Sequence, residues 1–274
     1  MDNLLRFASA SMHISDTSSP SAAPIDARAR FPSSVAALIP AWNPPSVLVG
    51  LTQELIGHGC GTIVVVDDGS GVERQEIFEE ISDGSAVTVL HHPKNAGKGS
   101  ALKTGLRHLL AHHPHCAGVV TADADGQHTS ADIVRVARSL ADCGRFVLGT
   151  RSLHQNVPLR SKLGNTLTRR LFRWLTRTCV SDTQSGLRGF PMPIVAELIR
   201  LPGDRYEYEM TVLAYLCQSM RSPMEVPIST VYLDGNRSSH FDPVRDSMRV
   251  YSVLLRIALQ KSQLAPRANE HAAY

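Results

Sequence analysis

The feature that most constrains the fold is an alternation, between residues 33 and 150, of short apolar runs with longer helical patterns. This alternation is typical of an α/β domain in which helices cover a mostly parallel sheet. Each run is nearly all apolar, as expected where both sheet faces are buried. The predicted strands are Val35–Ile39, Thr62–Asp67, Ala86–His91, Gly118–Ala122 and Phe146–Gly149, and the predicted helices are Pro45–His58, Gly71–Ile81, Gly99–His112 and Ala131–Ala141.

The two ends of the chain have a different character. The first 32 residues include a Ser/Ala/Pro-rich stretch and lack the apolar segment of a secretory signal, so they are predicted to form a mobile tail. Beyond Arg151 the sequence predicts longer helices, one late strand at Glu225–Leu233 and a helical tail at Pro243–Gln260. The predicted organisation is a tail over 1–32, an α/β domain over 33–241, and an amphipathic helix with a C-terminal tail over 242–274.

Composition and missing motifs exclude several classes of protein. The five cysteines are odd in number and never in C-x-x-C spacing, which predicts a reducing cytoplasm rather than disulfides or a zinc site. No apolar run approaches the roughly 18 residues of a spanning helix. A formal charge of +3 gives no case for a nucleic-acid partner. The P-loop pattern and the G-x-G-x-x-G pattern are both missing, which disfavours that type of ATPase and a dinucleotide-dependent dehydrogenase.

Polar residues follow the predicted strands directly, where ligands bind in open parallel sheets. Asp123 and Asp125 are separated by one residue, so an extended backbone places both carboxylates on the same side. Paired carboxylates bind Mg²⁺ or Mn²⁺, and such an ion can neutralise the charge on a departing diphosphate. The alternative is an ordinary solvated loop, because D-x-D is a common pattern.

Two further segments have alternative interpretations. The segment Asp67-Asp68-Gly69-Ser70 is either a turn with helix-capping groups or a site that recognises a nucleoside through its carboxylates. The segment Lys94–Ser100 opens a predicted helix and has the glycines and lysines of an anion-binding N-terminus.

Seven short segments, taken in order, carry a family resemblance: ALIPAWN, VVVDDGS, KNAGKGSALKTG, ADADGQH, GTR, DTQSGLRGF and EVPI. Together they resemble an inverting glycosyltransferase of the GT-A fold, and more narrowly the group of dolichyl-phosphate mannosyltransferases and polyprenyl-phosphate glycosyltransferases. The resemblance extends from about Val35 to about Tyr251. It implies a GT-A, Rossmann-like α/β sheet flanked by helices, with a helical C-terminal extension. It also implies transfer of a hexose from a nucleotide sugar, UDP-glucose or GDP-mannose, to a dolichyl-type or undecaprenyl-type phosphate with Mg²⁺ or Mn²⁺.

The resemblance assigns roles to individual residues. It implies that Asp123 and Asp125 bind the metal and the sugar diphosphate, and that Arg151 faces the phosphates. The nucleotide is expected to contact Pro40, Trp42, Asp67, Asp68 and Gln127. The acceptor site is expected to include Asp182, Ser185 and Arg188.

The sequence departs from the family pattern in two places. Family members often have an acidic residue in the first motif, where this chain has Pro44. Many relatives also have R-x-x-G-x-S-K after E-V-P-I, whereas this chain has Y-L-D-G-N-R-S-S-H-F. Arg237 is therefore predicted as the phosphate clamp because a guanidinium binds phosphate bidentately, and His240 is a secondary candidate.

Basic residues cluster in one predicted helix. Residues 155–181 contain no acidic residue. They carry six positive charges: Arg160, Lys162, Arg169, Arg170, Arg173 and Arg177. Leucines and Trp174 recur beside them at helical spacing, and the C-terminal helix repeats this pattern. Such helices either pack on the domain or lie on a membrane surface. We expect peripheral attachment to the cytoplasmic face of an anionic membrane, with the lipid phosphate near Arg160, Arg188 and Arg237.

Two alternative functions remain open at this stage. A glycosyltransferase acting on a saccharide or other hydroxyl acceptor needs a general base, for which Glu207 and Glu209 are candidates. A non-catalytic nucleotide-sugar-binding partner of a membrane assembly is the alternative from another class. The motifs do not determine the donor's base and sugar or the oligomeric state.

Overall fold

The computed structural model describes residues 30–82, 84, 86–151, 159–229, 248, 249 and 251–255, with only the backbone described for residues 159–167. The strands of this part of the chain are β1 (Val35–Ala41), β2 (Ile63–Asp67), β3 (Val87–His91), β4 (Gly118–Thr121), β5 (Val147–Arg151), β6 (Arg188–Pro191) and β7 (Met224–Ile228). The α-helices are α1 (Val47–Gly57), α2 (Gln75–Ser82), α3 (Lys98–His112), α4 (Ser130–Cys143), α5 (Leu159–Thr176), α6 (Met192–Ile199) and α7 (Glu207–Gln218).

The strands form one mixed sheet in the order β3-β2-β1-β4-β6-β5-β7. Strands β3, β2, β1 and β4 are mutually parallel, and β7 is parallel to β5. Only β6 among the described strands runs antiparallel, between β4 and β5. The chain proceeds from β1 outward to β3 and then returns to the other side of β1 with β4. The boundary between β1 and β4 is therefore the topological switch point, where ligands bind in such sheets.

The sheet has a hydrophobic core on each face. Alternate residues of β1 point to opposite sides, so that Leu38 packs in the core formed with α3, α6 and α7, and Ile39 packs in the core formed with α1, α2 and α4. Both residues have 0% exposure. Covering by helices on both faces explains why the strand sequences are apolar throughout.

The mostly parallel α/β sheet predicted from the sequence is confirmed, and all five strands predicted before residue 150 are present. Boundaries differ by one or two residues, as at Ile63 and Val87. A short 3₁₀ helix at Val72–Arg74 precedes α2, so the α-helix begins later than the predicted Gly71. Strand β6 was not predicted, because the sequence Arg-Gly-Phe-Pro has no β-strand pattern of its own and is held only by its two neighbours.

Phe31 packs on the domain although it lies within the predicted tail. It is only 3% exposed and belongs to the core on the α1 face. Its backbone N–H donates to the carbonyl of His58 at 2.8 Å. The described core therefore includes Phe31, and the predicted extent of the tail stays a prediction. Residues 1–29 and most of the predicted C-terminal tail lie outside the described residues, although residues 248, 249 and 251–255 are helical as predicted.

Candidate active site

The carboxyl ends of β1, β2 and β4 meet at the switch point of the sheet. Trp42 follows β1, Asp67 and Asp68 stand at the end of β2, and Asp123 and Asp125 follow β4. These predicted site residues therefore lie at the ends of neighbouring strands, which is where a parallel α/β sheet presents its ligand site. We take this crevice as the candidate active site.

The loops after β1 and β2 are locked to each other by side-chain hydrogen bonds. The backbone N–H of Asn43 donates to Ser70 Oγ at 2.8 Å, and the N–H of Gly71 donates to Asn43 Oδ1 at 2.9 Å. Asn43 has a φ of 46°, which its short side chain tolerates. Pro40 is buried inside β1, whereas Trp42 is 38% exposed. The structure thus places Pro40 behind the crevice and the Trp42 ring at its rim.

Asp67 is a buried turn-forming residue. One of its carboxylate oxygens accepts the backbone N–H of Ser70 at 2.8 Å, and the other lies 3.0 Å from Nδ1 of His91. The side chain is only 3% exposed. The structure therefore shows the turn, and the predicted contact of Asp67 with the nucleotide stays a prediction.

Asp68 fixes the loop that leads into α3. Its carboxylate accepts the backbone N–H groups of Ala96 at 2.9 Å and Gly97 at 2.7 Å, and it lies 2.7 Å from Nδ1 of His92. Gly97 is the N-cap of α3 with a φ of 105°, which favours glycine, and a Cβ there would collide with the carbonyl of Asp204. Both oxygens of Asp68 are occupied within the protein, so its predicted contact with the nucleotide stays a prediction.

Asp123 is held by a half-buried lysine. Lys98 Nζ lies 2.6 Å from Asp123 Oδ1 and 2.7 Å from Glu209 Oε2, while His128 Nε2 lies 3.3 Å from Asp123 Oδ2. Burial alone raises the pKa of Asp123, but Lys98 and His128 outweigh it and hold that pKa far below its ordinary value. Burial likewise lowers the pKa of Lys98, and the two carboxylates reverse the shift and raise it. The Lys98 ammonium of α3 therefore links Asp123 to Glu209 of α7.

Asp125 has a different electrostatic environment from Asp123. Burial and, next, the negative charge of Asp123 raise the pKa of Asp125 above its ordinary value. One of its oxygens accepts the backbone N–H of Gln127 at 3.0 Å, which closes the turn after β4. The pair therefore attracts additional positive charge, because the two carboxylates disfavour each other's ionisation.

The carboxylate pair fits a divalent ion that shares its coordination with a substrate. Within the described residues, no group of three or more His, Cys, Asp or Glu side chains can hold a metal without other ligands. Asp123 and Asp125 supply two hard oxygen ligands, and Mg²⁺ in enzymes is commonly bound by one or two carboxylates plus substrate phosphates. The residues present therefore fit Mg²⁺ or Mn²⁺ bound together with a diphosphate.

Arg151 and Asp182, predicted to contact the phosphates and the acceptor, contact each other. Arg151 Nε lies 2.7 Å from Asp182 Oδ2, and Nη2 lies 3.2 Å from Oδ1. The N–H of Gln184 also donates to Asp182 at 2.9 Å. Asp182 has 0% side-chain exposure, while Arg151 retains 27%. The structure brings the two together at the exit of β5 and leaves an edge of the guanidinium accessible.

Arg188 is buried although it was predicted to border the acceptor. It is 2% exposed, because antiparallel β6 directs it towards α3 and α7. Its guanidinium donates to the main-chain carbonyls of Ser185 at 2.9 Å and Glu209 at 2.6 Å. Ser185 is also buried, at 1% exposure. The structure shows a structural role for both residues, and direct contact with an acceptor stays a prediction.

Three predicted residues lie outside the described part of the site. Arg160 belongs to α5, but its side chain is not among those described, and Arg237 and His240 fall within the residues that follow position 229.

Lys98 and His128 are not among the predicted site residues, and Glu209 is predicted only as a candidate general base. Lys98 stands in the segment predicted to bind an anion, and His128 closes the A-D-A-D-G-Q-H motif. The positions of Lys98 and His128 within those motifs were the available signal. The contact of Lys98 with Asp123 depends on the packing of α3 against the sheet, for which the sequence has no local pattern, whereas His128 reaches Asp123 from within the segment that follows β4.

The crevice at the switch point, with its paired carboxylates after β4, is that of a GT-A glycosyltransferase. The structural neighbours of this chain share its mixed α/β sheet. The family model for glycosyl transferase family 2 matches residues 37–190. The chain belongs to that family.

Relatives and solved structures agree with this assignment. The UDP-N-acetylglucosamine–dolichyl-phosphate N-acetylglucosaminyltransferase of Methanococcus voltae is 31% identical over 218 residues, covering 72% of this chain and 85% of that protein. The undecaprenyl-phosphate 4-deoxy-4-formamido-L-arabinose transferase of Pseudomonas savastanoi pv. phaseolicola is 33% identical over 146 residues. The match covers 50% of this chain and 40% of that protein. The resemblance to the polyprenyl-phosphate glycosyltransferase group is thereby confirmed.

Among solved structures, glucosyl-3-phosphoglycerate synthase from Mycobacterium tuberculosis, crystallised with Mn²⁺, UDP and glucosyl-3-phosphoglycerate, superposes with a TM-score of 0.59. The two sequences are 17% identical, and the match covers 85% of this chain and 82% of that one. At this identity the likeness shows the fold.

Proposed function

We propose that this chain transfers a hexose from a nucleotide sugar to a polyprenyl phosphate, with inversion at the anomeric carbon. The observation that carries the proposal is the position of Asp123 and Asp125 directly after β4, at the switch point of a glycosyl transferase family 2 domain. Two relatives whose names specify dolichyl-phosphate or undecaprenyl-phosphate support the acceptor class. The relative that uses UDP-N-acetylglucosamine makes UDP-linked sugars the first donors to test, alongside GDP-mannose.

In the proposed reaction, an oxygen of the acceptor phosphate attacks the anomeric carbon while the bond from that carbon to the donor diphosphate breaks. The bonding electron pair leaves with the nucleoside diphosphate. Asp123 and Asp125 hold Mg²⁺ or Mn²⁺, which when bound supplies positive charge against the leaving diphosphate. A phosphate monoester is already largely ionised near neutral pH, so it needs orientation rather than deprotonation.

The ion pair of one of the two candidate bases favours a phosphate acceptor over a hydroxyl. Glu209 is ion-paired with Lys98 at 2.7 Å and has 13% side-chain exposure. Oε1 of Glu207 accepts the backbone N–H groups of Asp204 and Arg205 at 3.0 and 3.2 Å, which caps the start of α7, while its Oε2 is buried with no hydrogen-bond partner among the described residues. Glu209 is therefore engaged by Lys98, whereas the phosphate reaction requires no base.

A surface around α5 is suited to the membrane that holds a lipid acceptor. Trp174 is 73% exposed, and Arg170, Arg173 and Arg177 are exposed beside it. The C-terminal helical residues pack against α5, with Tyr251 Oη 3.4 Å from Thr168 Oγ1. Among the described residues, no helix combines the length and hydropathy needed to cross a bilayer. We propose peripheral attachment to the cytoplasmic leaflet through this basic, tryptophan-bearing surface.

The test is a transfer assay with radiolabelled UDP-N-acetylglucosamine, UDP-glucose and GDP-mannose, each with Mn²⁺ and Mg²⁺. Acceptors are undecaprenyl phosphate and dolichyl phosphate in detergent, against soluble saccharides. We expect label in the organic phase with at least one donor. Exclusive transfer to a soluble saccharide would support the hydroxyl-acceptor alternative, and donor binding without turnover under all conditions would support the non-catalytic one.

A further inference from the structure

The Asp123 carboxylate that is proposed to bind a metal is already neutralised by an internal cation. Lys98 Nζ lies 2.6 Å from Asp123 Oδ1 and 2.7 Å from Glu209 Oε2, and its side chain is 16% exposed. The Tyr206 ring lies alongside, 5.8 Å from the ammonium. Lys98 is the first residue of α3, at the entrance to the crevice. It is therefore at the boundary between the donor end of the site and α7.

The second oxygen of Asp123 is also enclosed. Oδ2 faces Nε2 of His128 at 3.3 Å and the α-carbon of Gly186, where an added Cβ would approach to 2.6 Å. The Asp123 side chain is 27% exposed, so a divalent ion can approach it, and there the ion meets the Lys98 ammonium at Oδ1 and the His128 ring at Oδ2. Competition with Lys98 is easier, because a lysine ammonium is a point charge on a flexible chain that can move by side-chain rotation alone.

We propose that Lys98 is the resident counter-ion of Asp123 and leaves it only when donor and metal bind together, its ammonium then pairing with the donor diphosphate. This inference rests on the proposed metal-dependent transfer. It adds that the movement of Lys98 makes the binding of the donor and the binding of the metal depend on each other. Glu209 keeps one side of the ammonium in place, so a short movement away from Asp123 is sufficient. The diphosphate supplies the negative charge that Lys98 loses.

Interdependence follows from the charges. A metal ion that arrives alone displaces the ammonium from Asp123 yet leaves that positive charge nearby, which opposes binding. A diphosphate that arrives with the metal compensates both cations. Because such coupling is reciprocal, UDP must tighten Mn²⁺ binding by the same factor by which Mn²⁺ tightens UDP binding.

The experiment measures Mn²⁺ binding by electron paramagnetic resonance, with and without saturating UDP or GDP, on the full chain. Wild type is expected to bind Mn²⁺ more than about tenfold tighter with one of these nucleotides than without. Lys98→Met leaves Asp123 and Asp125 without their counter-ion, so Mn²⁺ binding in the absence of UDP is expected to tighten about tenfold and the effect of UDP to shrink. The UDP affinity of the variant in Mn²⁺ is expected to fall.

Lys103→Met is the matched control. Lys103 lies in the same helix and is buried, but its ammonium contacts the carbonyl of Gly203 at 2.6 Å and Asp204 at 3.2 Å, not Asp123. It should keep the wild-type coupling between UDP and Mn²⁺. Circular dichroism checks that each variant is folded, and Lys98→Gln replaces Lys98→Met if the latter is not.

Two results overturn the inference and distinguish it from the proposed function. Equal Mn²⁺ affinity of wild type and Lys98→Met without nucleotide, or a wild-type coupling factor near one with both UDP and GDP, removes the role of Lys98 while leaving a metal site intact. The wild-type coupling factor requires no variant, so a folding failure does not remove the test. Absence of Mn²⁺ binding to wild type with either UDP or GDP rejects the metal site itself, and with it the proposed function.

Discussion

Arg151 and Asp182 form a two-point ion pair that joins the end of β5 to the loop before β6. Burial by itself raises the pKa of Asp182, but the Arg151 guanidinium outweighs it, and the pKa lies below its ordinary value. The buried carboxylate therefore depends on its partner. The pair organises the 182–188 loop whose Gly186 contacts Asp123.

Replacement of Asp182 by Asn should destabilise the fold in a pH-dependent way. At pH 7 we expect a loss of about 2 kcal/mol in the free energy of unfolding, because the variant loses a charge-assisted pair. The stabilisation from a lowered pKa is complete above the unfolded-state value of roughly 3.9 and is lost as the pH falls through the folded-state value. The difference in the free energy of unfolding between wild type and Asp182→Asn should therefore become smaller below about pH 4. Urea denaturation at a series of pH values measures it. The control is Asp142→Asn, an exposed substitution on α4. A difference in unfolding free energy between wild type and Asp182→Asn that does not change with pH would contradict the lowered pKa of Asp182.

The parallel strands and the position of the site were predictable because their signals are local. Each early strand is a continuous apolar run, and the site residues follow those runs directly, as Asp123 follows β4. Burial of Phe31 and the antiparallel placement of β6 depend instead on partners distant in the sequence. No periodicity in the segment itself reports such pairing, so these features required the structure.

The role of a polar residue is harder to predict from the sequence than its location. The Asp68 carboxylate accepts backbone N–H groups and lies near His92, and the Arg188 guanidinium donates to backbone carbonyls, so their predicted ligand contacts stay predictions. A carboxylate or guanidinium that caps a loop and one that binds a ligand have the same residue type and the same motif position. Only hydrogen-bond partners and exposure distinguish the two cases.

Gly186→Ala should impair the site while leaving the fold intact. A Cβ at this position would approach Asp123 Oδ2 to 2.6 Å, so the carboxylate end must turn aside. A misplacement of about 1 Å at a reacting site costs about 10²-fold in rate, and we expect a loss of that order in kcat/KM with only a small change in melting temperature. Gly50→Ala in α1 meets nothing within 4 Å and should gain roughly 0.5–1 kcal/mol of stability with normal activity. Full activity of Gly186→Ala would show that the position of Asp123 is not critical.

Asp125→Asn should remove metal-dependent transfer. The carboxamide is a poorer ligand for a hard cation, and loss of one group that stabilises developing charge lowers turnover by about 10²–10³-fold. Thermal melting with Mn²⁺ and UDP supplies an independent measurement, because a ligand that binds only the folded state raises the melting temperature. The variant should lose the Mn²⁺-dependent part of that rise, whereas Asp142→Asn should keep it. Near-normal transfer by Asp125→Asn would refute the assignment of this carboxylate.

The exposed basic surface of α5 gives a prediction about membranes. Each arginine near an anionic surface contributes about 1 kcal/mol to binding, so Arg173→Gln with Arg177→Gln should weaken association with phosphatidylglycerol-containing vesicles by about 30-fold. The paired control is Arg138→Gln with Arg145→Gln, which removes the same charge from exposed positions at α4, on the opposite face of the sheet. Vesicle co-sedimentation at low and high salt measures the binding of both double variants. Only the Arg173→Gln with Arg177→Gln pair should lose the salt-sensitive part of the binding. Equal weakening by the two pairs would mean that net charge, rather than this surface, governs attachment.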